Sequence, residues 1–201
     1  MIIRQLKSPV GDNFTYVIGC ETTGEALVID PFMPVDDILK AARSMSCRIS
    51  IIVNTHGHRD HTAGNAELKK RTGARTMMHS ADAAAGVTAD HDLDQEKILK
   101  LGSISFQIIH TPGHTPGGIC LHANGHLFTG DTLFVGDSGR TDLPGGNRPL
   151  LGASIRQLME LDGNTIVWPG HDYGPTTSST LDWEKRHNVN AREYGFYLGD
   201  Q

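Results

Sequence analysis

The chain is predicted to adopt an α/β (α+β) fold, on three features of its 201 residues. A β-branched run, Ile49-Ser50-Ile51-Ile52-Val53, leads through a polar loop into a helical stretch from Gly64 to Arg71 and an extended one from Arg75 to Met78. Strand, loop, helix and strand in that order make an α/β unit. Further on, Ser103 to Thr111, Gly117 to Leu121 and His126 to Gly130 read as successive strands joined by Pro-Gly and Asn-Gly turns, the pattern of antiparallel pairing. The length fits one domain with a substantial core, because single domains commonly run from about 100 to 250 residues. Residues 1–201 are therefore expected to form a single domain.

The remaining elements follow from periodicity. Asn13 to Gly19 and Glu25 to Asp30 flank the turn Glu21-Thr22-Thr23-Gly24 and predict a β-hairpin. Val35, Ile38, Leu39, Ala42 and Met45 form an apolar stripe at helical spacing that should pack on a sheet. Pro149 to Leu161 repeats that pattern with Leu150, Leu151, Ile155, Leu158 and Leu161, Thr165 to Trp168 is a last strand, and Leu181 to Arg192 is one more helix. The glycine-rich stretch from Gly136 to Asn147 has no periodicity, and a loop of that length beside chemically active motifs is expected to serve them.

Composition narrows the function. Eighteen Lys and Arg against 23 Asp and Glu give a net charge of −5, with no basic block to follow a phosphate backbone, so nucleic acid is a poor partner. The opening Met1-Ile2-Ile3-Arg4-Gln5-Leu6-Lys7 lacks the apolar centre of a signal peptide, and no run approaches the roughly 20 apolar residues of a membrane span. A soluble, cytoplasmic monomer or homodimer acting on a small molecule is expected. Cys20, Cys47 and Cys120 are odd in number and lack C-x-x-C spacing, which predicts reduced, partly buried residues rather than disulfides or a zinc site.

The outlier is histidine, eleven in all, and neutral imidazole is the commonest metal ligand. His56-x-His58-x-Asp60-His61 closes the buried strand. In extended backbone, residues two apart share a side, so His56 and His58 reach one metal while the turn beyond aims Asp60 and His61 elsewhere. His114, Asp131 and His171 each sit at a strand end beside glycine, where a rigid sheet can bring distant residues together. Seven groups divide as three, three and one shared. His56, His58 and His114 are assigned to one metal, Asp60, His61 and His171 to the other, and Asp131 bridges ions about 3.5–4 Å apart. Asp60 and Asp131 leave an excess of positive charge, which favours a metal-bound hydroxide; such water can have a pKa near about 7, against about 15.7 in bulk. A structural zinc site would be closed and usually rich in cysteine, and this set contains none. His91, His122, His126 and His187 read as surface residues, whereas His79 and His110 stand close enough to the motifs to support them.

These residues resemble the metallo-β-lactamase superfamily in order and spacing over nearly the whole chain. The resemblance implies a four-layer αββα sandwich with metals at one edge. Thr129-Gly-Asp-Thr-Leu-Phe, Gly139-Arg140-Thr141-Asp142 and His171-Asp172-Tyr173 look like the glyoxalase II group, thioesterases of hydroxyacylglutathione, especially its short bacterial branch. They also look like persulfide dioxygenases, which would use one iron held by His56, His114 and Asp131. Leu143-Pro144-Gly145-Gly146-Asn147 favours the hydrolase. True β-lactamases lack Asp131 in this setting, flavodiiron oxidoreductases usually carry glutamate in place of His58, and the nuclease branch has an inserted domain and basic surfaces. The hydrolase reading implies two divalent ions, zinc foremost, with iron or manganese as substitutes. Full-length glyoxalase II enzymes add a helical C-terminal domain that contacts glutathione; only about twenty residues follow Leu181 here, so no such domain is expected. Arg140 and Tyr173 are the candidate substrate contacts, and Asp30 the group that orients a ligand histidine from behind.

Overall fold

A computed structural model describes residues 1–83 and 89–199. The first half builds β1 (Ile2–Lys7), β2 (Phe14–Cys20), β3 (Glu25–Ile29), α1 (Asp36–Ser44), β4 (Arg48–Val53), α2 (Arg59–Thr62), α3 (Asn65–Thr72), β5 (Arg75–Met78), α4 (Ser80–Ala83) and β6 (His91–Asp92). The second builds β7 (Ile98–Leu101), β8 (Ile104–His110), β9 (Ile119–Ala123), β10 (His126–Gly130), α5 (Arg148–Leu158), β11 (Ile166–Pro169), β12 (Ser179–Thr180), α6 (Leu181–His187) and α7 (Ala191–Tyr194). Each half forms a six-stranded sheet, ordered β1-β2-β3-β4-β5-β6 and β12-β11-β10-β9-β8-β7. In the first sheet β1, β2 and β3 pair antiparallel and β3 to β6 parallel. In the second, β7 to β10 form an antiparallel meander, as the turn residues predict, and β11 joins β10 in parallel.

Alternation along the strands explains the layering. Phe14, Tyr16, Ile18 and Cys20 of β2 and Leu27 and Ile29 of β3 point between the sheets, where they meet Phe106, Ile108, Leu121 and Phe128 of the second sheet. Val17, Ala26, Val28 and Ile52 point the other way, into the stripe Val35, Ile38, Leu39, Ala42 and Met45 of the α1 region. On the far face, Leu127 and Val167 pack against Leu151, Ile155 and Leu158 of α5 and against Leu181, Ala191 and Tyr194. The result is the expected αββα sandwich, with both faces of the central strands covered. β2 is buried along its whole length for this reason.

Several details differ from the sequence reading. The predicted helix from Leu181 to Arg192 is two helices, because Asn188 and Asn190 turn the chain: Asn188 Nδ2 donates to the Asp137 carbonyl and to buried Glu184, and Asn190 Nδ2 donates to Asp137 and Ser138. The helix predicted from Pro149 to Leu161 starts at Arg148, capped by Asn147 Oδ1 on the Leu150 N–H, and Leu150 is exposed. β1, β6, β7 and β12 are additional strands at or near the sheet edges. His122 and His126 are half-buried rather than on the surface, the latter accepting from Trp168 Nε1 at 3.0 Å. The three cysteines are free and buried. Among the described residues no helix is long and apolar enough to cross a membrane.

Phe128, wholly buried between the sheets and packed edge-on to Tyr16 at 5.1 Å, tests the architecture. Phe128→Ala is expected to cost about 3–5 kcal/mol in denaturant unfolding, whereas Val10→Ala, at an exposed position, should stay within about 0.5 kcal/mol.

Candidate metal centre

The site lies where strands of both sheets end. β4 runs out at Val53, and the next eight residues carry His56, His58, Asp60 and His61; the loop between β8 and β9 delivers His114, the end of β10 Asp131, and the end of β11 His171. The segments are far apart in sequence, yet all seven predicted side chains converge.

Two triads form. His58 Nδ1 lies 3.1 Å from His56 Nε2 and 3.0 Å from His114 Nε2. His61 Nε2 lies 3.1 Å from His171 Nε2, and Asp60 Oδ2 is 3.5 Å from both of these nitrogens. Ligand nitrogens bound tetrahedrally at about 2.1 Å sit about 3.4 Å apart, so each triad has the compactness of a cation site. Asp131 stands between them. Its Oδ2 is 3.5 Å from His114 Nε2, 3.3 Å from His171 Nε2 and 4.0 Å from His56 Nε2, while its Oδ1 is 3.3 Å from His61 Nε2. Asp131 Oδ1 is buried and has no hydrogen-bond partner, a cost that a bound cation would remove. Imidazole and carboxylate donors without thiolate suit zinc, iron or manganese alike. The cluster can therefore hold divalent metal.

The outer side of each ring decides which nitrogen faces the centre. His61 Nδ1 meets Asp30 Oδ2 at 3.0 Å. His56 Nδ1 meets Thr55 Oγ1 at 3.1 Å, and that hydroxyl donates onward to Asp30 Oδ2 at 2.6 Å. His114 Nδ1 donates to the Arg140 carbonyl at 2.7 Å. His171 has no such partner at Nδ1 and is held by packing, stacked on Tyr173 at 4.7 Å with Phe134 edge-on at 5.7 Å. Asp30 thus serves two rings from behind, and its own backbone is bent to do so: it takes a left-handed φ of 51° at the end of β3, a conformation that aspartate tolerates better than most residues. Thr15 Oγ1 fixes that bend by donating to the Asp30 carbonyl.

Charge within the cluster is uneven. Burial and neighbouring His61 push His56 far below the ordinary histidine range. Burial works against the charged form of His61 too, yet Asp131 and Asp30 raise it to about 9. Burial opposes ionisation of Asp131, but His61, His171 and His56 outweigh it and hold the carboxyl well below its usual range.

The remaining predicted residues stand at the rim. Arg140 places its backbone, rather than its side chain, on the cluster; the guanidinium forms a two-pronged pair with Asp142 at 2.6 Å on each arm. The loop from Gly136 to Asn147 lies against the site through the Arg140 carbonyl, and Gly139 is required there because a Cβ would collide with the Asp131 carbonyl. Tyr173 is exposed. Sequence reasoning missed Asn13, whose Nδ2 donates to Asp60 Oδ2 at 2.8 Å, Thr55, and Asn54, whose Nδ2 donates to the His61 carbonyl at 2.8 Å. Asn54 and Thr55 adjoin the histidine motif, which is a usable signal; Asn13 carries none.

A histidine-rich centre at the strand ends of an αββα sandwich defines a class, and comparison with known proteins gives it a family. Residues 8–171 match the model of the metallo-beta-lactamase superfamily, and the chain belongs to that superfamily. It is 38% identical over 165 residues to a hydroxyacylglutathione hydrolase of Polaromonas sp., covering 80% of this chain and 62% of that protein. It is 32% identical over 195 residues to the mitochondrial persulfide dioxygenase ETHE1 of Homo sapiens, covering 94% and 75%. The crystal structure of ETHE1 from Myxococcus xanthus superposes with a TM-score of 0.90 at 33% identity, covering 98% and 88%. The chain spans less than two thirds of the length of the first hydroxyacylglutathione hydrolases it matches.

If Asp30 orients His61 and His56 as the geometry indicates, Asp30→Ala should weaken zinc binding about 10- to 100-fold in a competition titration with a chromophoric chelator. Unchanged affinity would show that these rings need no support from behind.

Proposed function

We propose that the chain is a metal-dependent thioesterase of the hydroxyacylglutathione hydrolase type, holding two divalent ions, zinc foremost. The observation that carries this reading is that the second triad, Asp60, His61 and His171, is as completely built as the first, and that Asp131 reaches both. A single ion held by His56, His114 and Asp131 would leave Asp60, His61 and His171 without a ligand role. Divalent cations bound there supply Lewis acidity toward a carbonyl and lower the pKa of water from about 15.7 to about 7.

The chain's own side chains prepare that chemistry. Asp131 reaches both triads, Oδ2 lying near His114 and His171 and Oδ1 near His61, and Asp60, with its side chain half exposed at the mouth, is steadied by Asn13. We assign these two carboxylates to the reaction. Thiolate is a good leaving group, so no strong general acid is required. Tyr173 is the better placed substrate contact: its ring covers His171 and the residue remains exposed. Arg140 would have to give up its pair with Asp142 to bind a carboxylate. A reducing compartment such as the cytoplasm suits both a glutathione-linked substrate and three free thiols.

The likeness to persulfide dioxygenases supports a second reading, in which His56, His114 and Asp131 hold one iron. The two readings part at His171. Under the thioesterase reading, zinc-loaded protein should bind close to two ions and release thiol from S-lactoylglutathione, and His171→Ala should reduce the rate at least about 100-fold. Oxygen consumption with glutathione persulfide, one iron per chain, an intact thioester and indifference to His171→Ala would establish the dioxygenase instead.

A further inference from the structure

Asp82, in the short helix α4, has no part in the roles described so far. It is 5% exposed, and among the described residues no Lys or Arg pairs with it. Three donors meet its carboxylate. Oδ2 accepts from the Gly57 N–H at 2.9 Å and from the Thr115 hydroxyl at 2.6 Å, and Oδ1 accepts from the Gly117 N–H at 2.6 Å. Gly57 lies between His56 and His58, and Thr115 follows His114. One buried anion is thus bonded to both chain segments that must meet to form the first triad. It touches neither Asp131 nor His171.

We infer that Asp82 is a positioning residue that sets the separation of the two loops carrying His56, His58 and His114, and thereby the affinity of that triad for its cation. The inference rests on the two-ion reading above. Hydrogen bonds to an ionised acceptor are shorter and about twice as strong as neutral ones, and losing the acceptor would strand the buried Gly117 N–H and the half-buried Gly57 N–H. The packing leaves little slack: a Cβ on Gly57 would lie 2.8 Å from the Asp82 carbonyl oxygen, and one on Gly117 would lie 2.7 Å from Asp82 Oδ1. Both glycines admit α4 to hydrogen-bonding distance. α4 is itself anchored from the opposite side, since Asp94 accepts from the Ser80 N–H at 2.7 Å and from the Ser80 hydroxyl. The aim of Asp82 is therefore fixed by contacts of the chain itself.

The test measures stepwise zinc binding by chelator competition in wild-type protein, Asp82→Asn and Thr115→Val, with His114→Ala and His171→Ala identifying which step belongs to which triad. Asn cannot accept at both positions, so an amide N–H must face one of the three donors. Asp82→Asn is expected to weaken the first-triad step about 10- to 100-fold and to leave the His171 step unchanged. Thr115→Val, which keeps the carboxylate and both backbone bonds, should weaken the same step about fivefold and guards against an Asp82→Asn protein that does not fold. Equal weakening of both steps, or a lowered melting temperature of the metal-free protein with neither step altered, would make Asp82 a structural residue and overturn the inference. Wild-type protein that binds no zinc would remove the two-ion reading and the inference with it, an outcome distinct from the others because it needs no variant.

Discussion

An imidazole holds one nitrogen toward a cation most firmly when its outer side is fixed, usually by a hydrogen bond to the other nitrogen, and that constraint organises this end of the molecule. Three of the five rings meet it with an oxygen acceptor: Asp30 for His61, Thr55 for His56, and the Arg140 carbonyl for His114. Each acceptor is fixed by a different element, respectively the bend after β3, the exit of β4 and the glycine-rich loop. His171 is held instead by the face of Tyr173 and the edge of Phe134. A cluster oriented from four directions is preorganised, so cation binding does not have to supply the ordering of long loops.

Preorganisation at this density is costly. Imidazoles and carboxylates have been taken out of water together: burial, with His61 beside it, drives His56 down, while opposite charges outweigh burial to raise His61 to about 9 and hold Asp131 down. The sandwich tolerates this because three apolar clusters hold the strand ends in register irrespective of what the loops carry. Burial of large side chains such as Phe106 and Phe128 contributes about 1.5–3 kcal/mol each, and these lie between the sheets, away from the centre. The fold's stability and the site's strain are thereby separated in space.

The sequence disclosed what depends on local pattern. The β-branched run before His56, the helical stripes at Val35 to Met45 and at Leu151 to Leu158, and the glycine-flanked strand ends all translate directly into the structure. The seven clustered residues were legible because each sits in such a motif. What remained hidden acts across the fold. Asn13 steadies Asp60 over 47 positions, and Asp82 reaches Gly57 over 25 and Thr115 over 33; neither has a spacing that announces a partner. The edge strands β1 and β7 escaped for a related reason, as half-exposed alternation is a weak signal until a neighbour supplies the pairing. The break between α6 and α7 depends on the Asp137 carbonyl, some 50 residues away, which no helical periodicity contains.

The glycine-rich loop shows how one framework could serve more than one reaction. Its backbone faces inward, where the Arg140 carbonyl fixes His114 and Gly139 gives way to Asp131. The side chains of Arg140 and Asp142 face outward and are exposed. The inward task depends on main-chain path alone, so it is indifferent to which side chains the rim displays, provided the glycine remains. The outward task depends on those side chains and touches no ligand atom. Substitutions along this rim can therefore alter what the mouth accepts without disturbing the triads. On that account, likeness to both a thioester hydrolase and a persulfide dioxygenase is what the architecture leads one to expect.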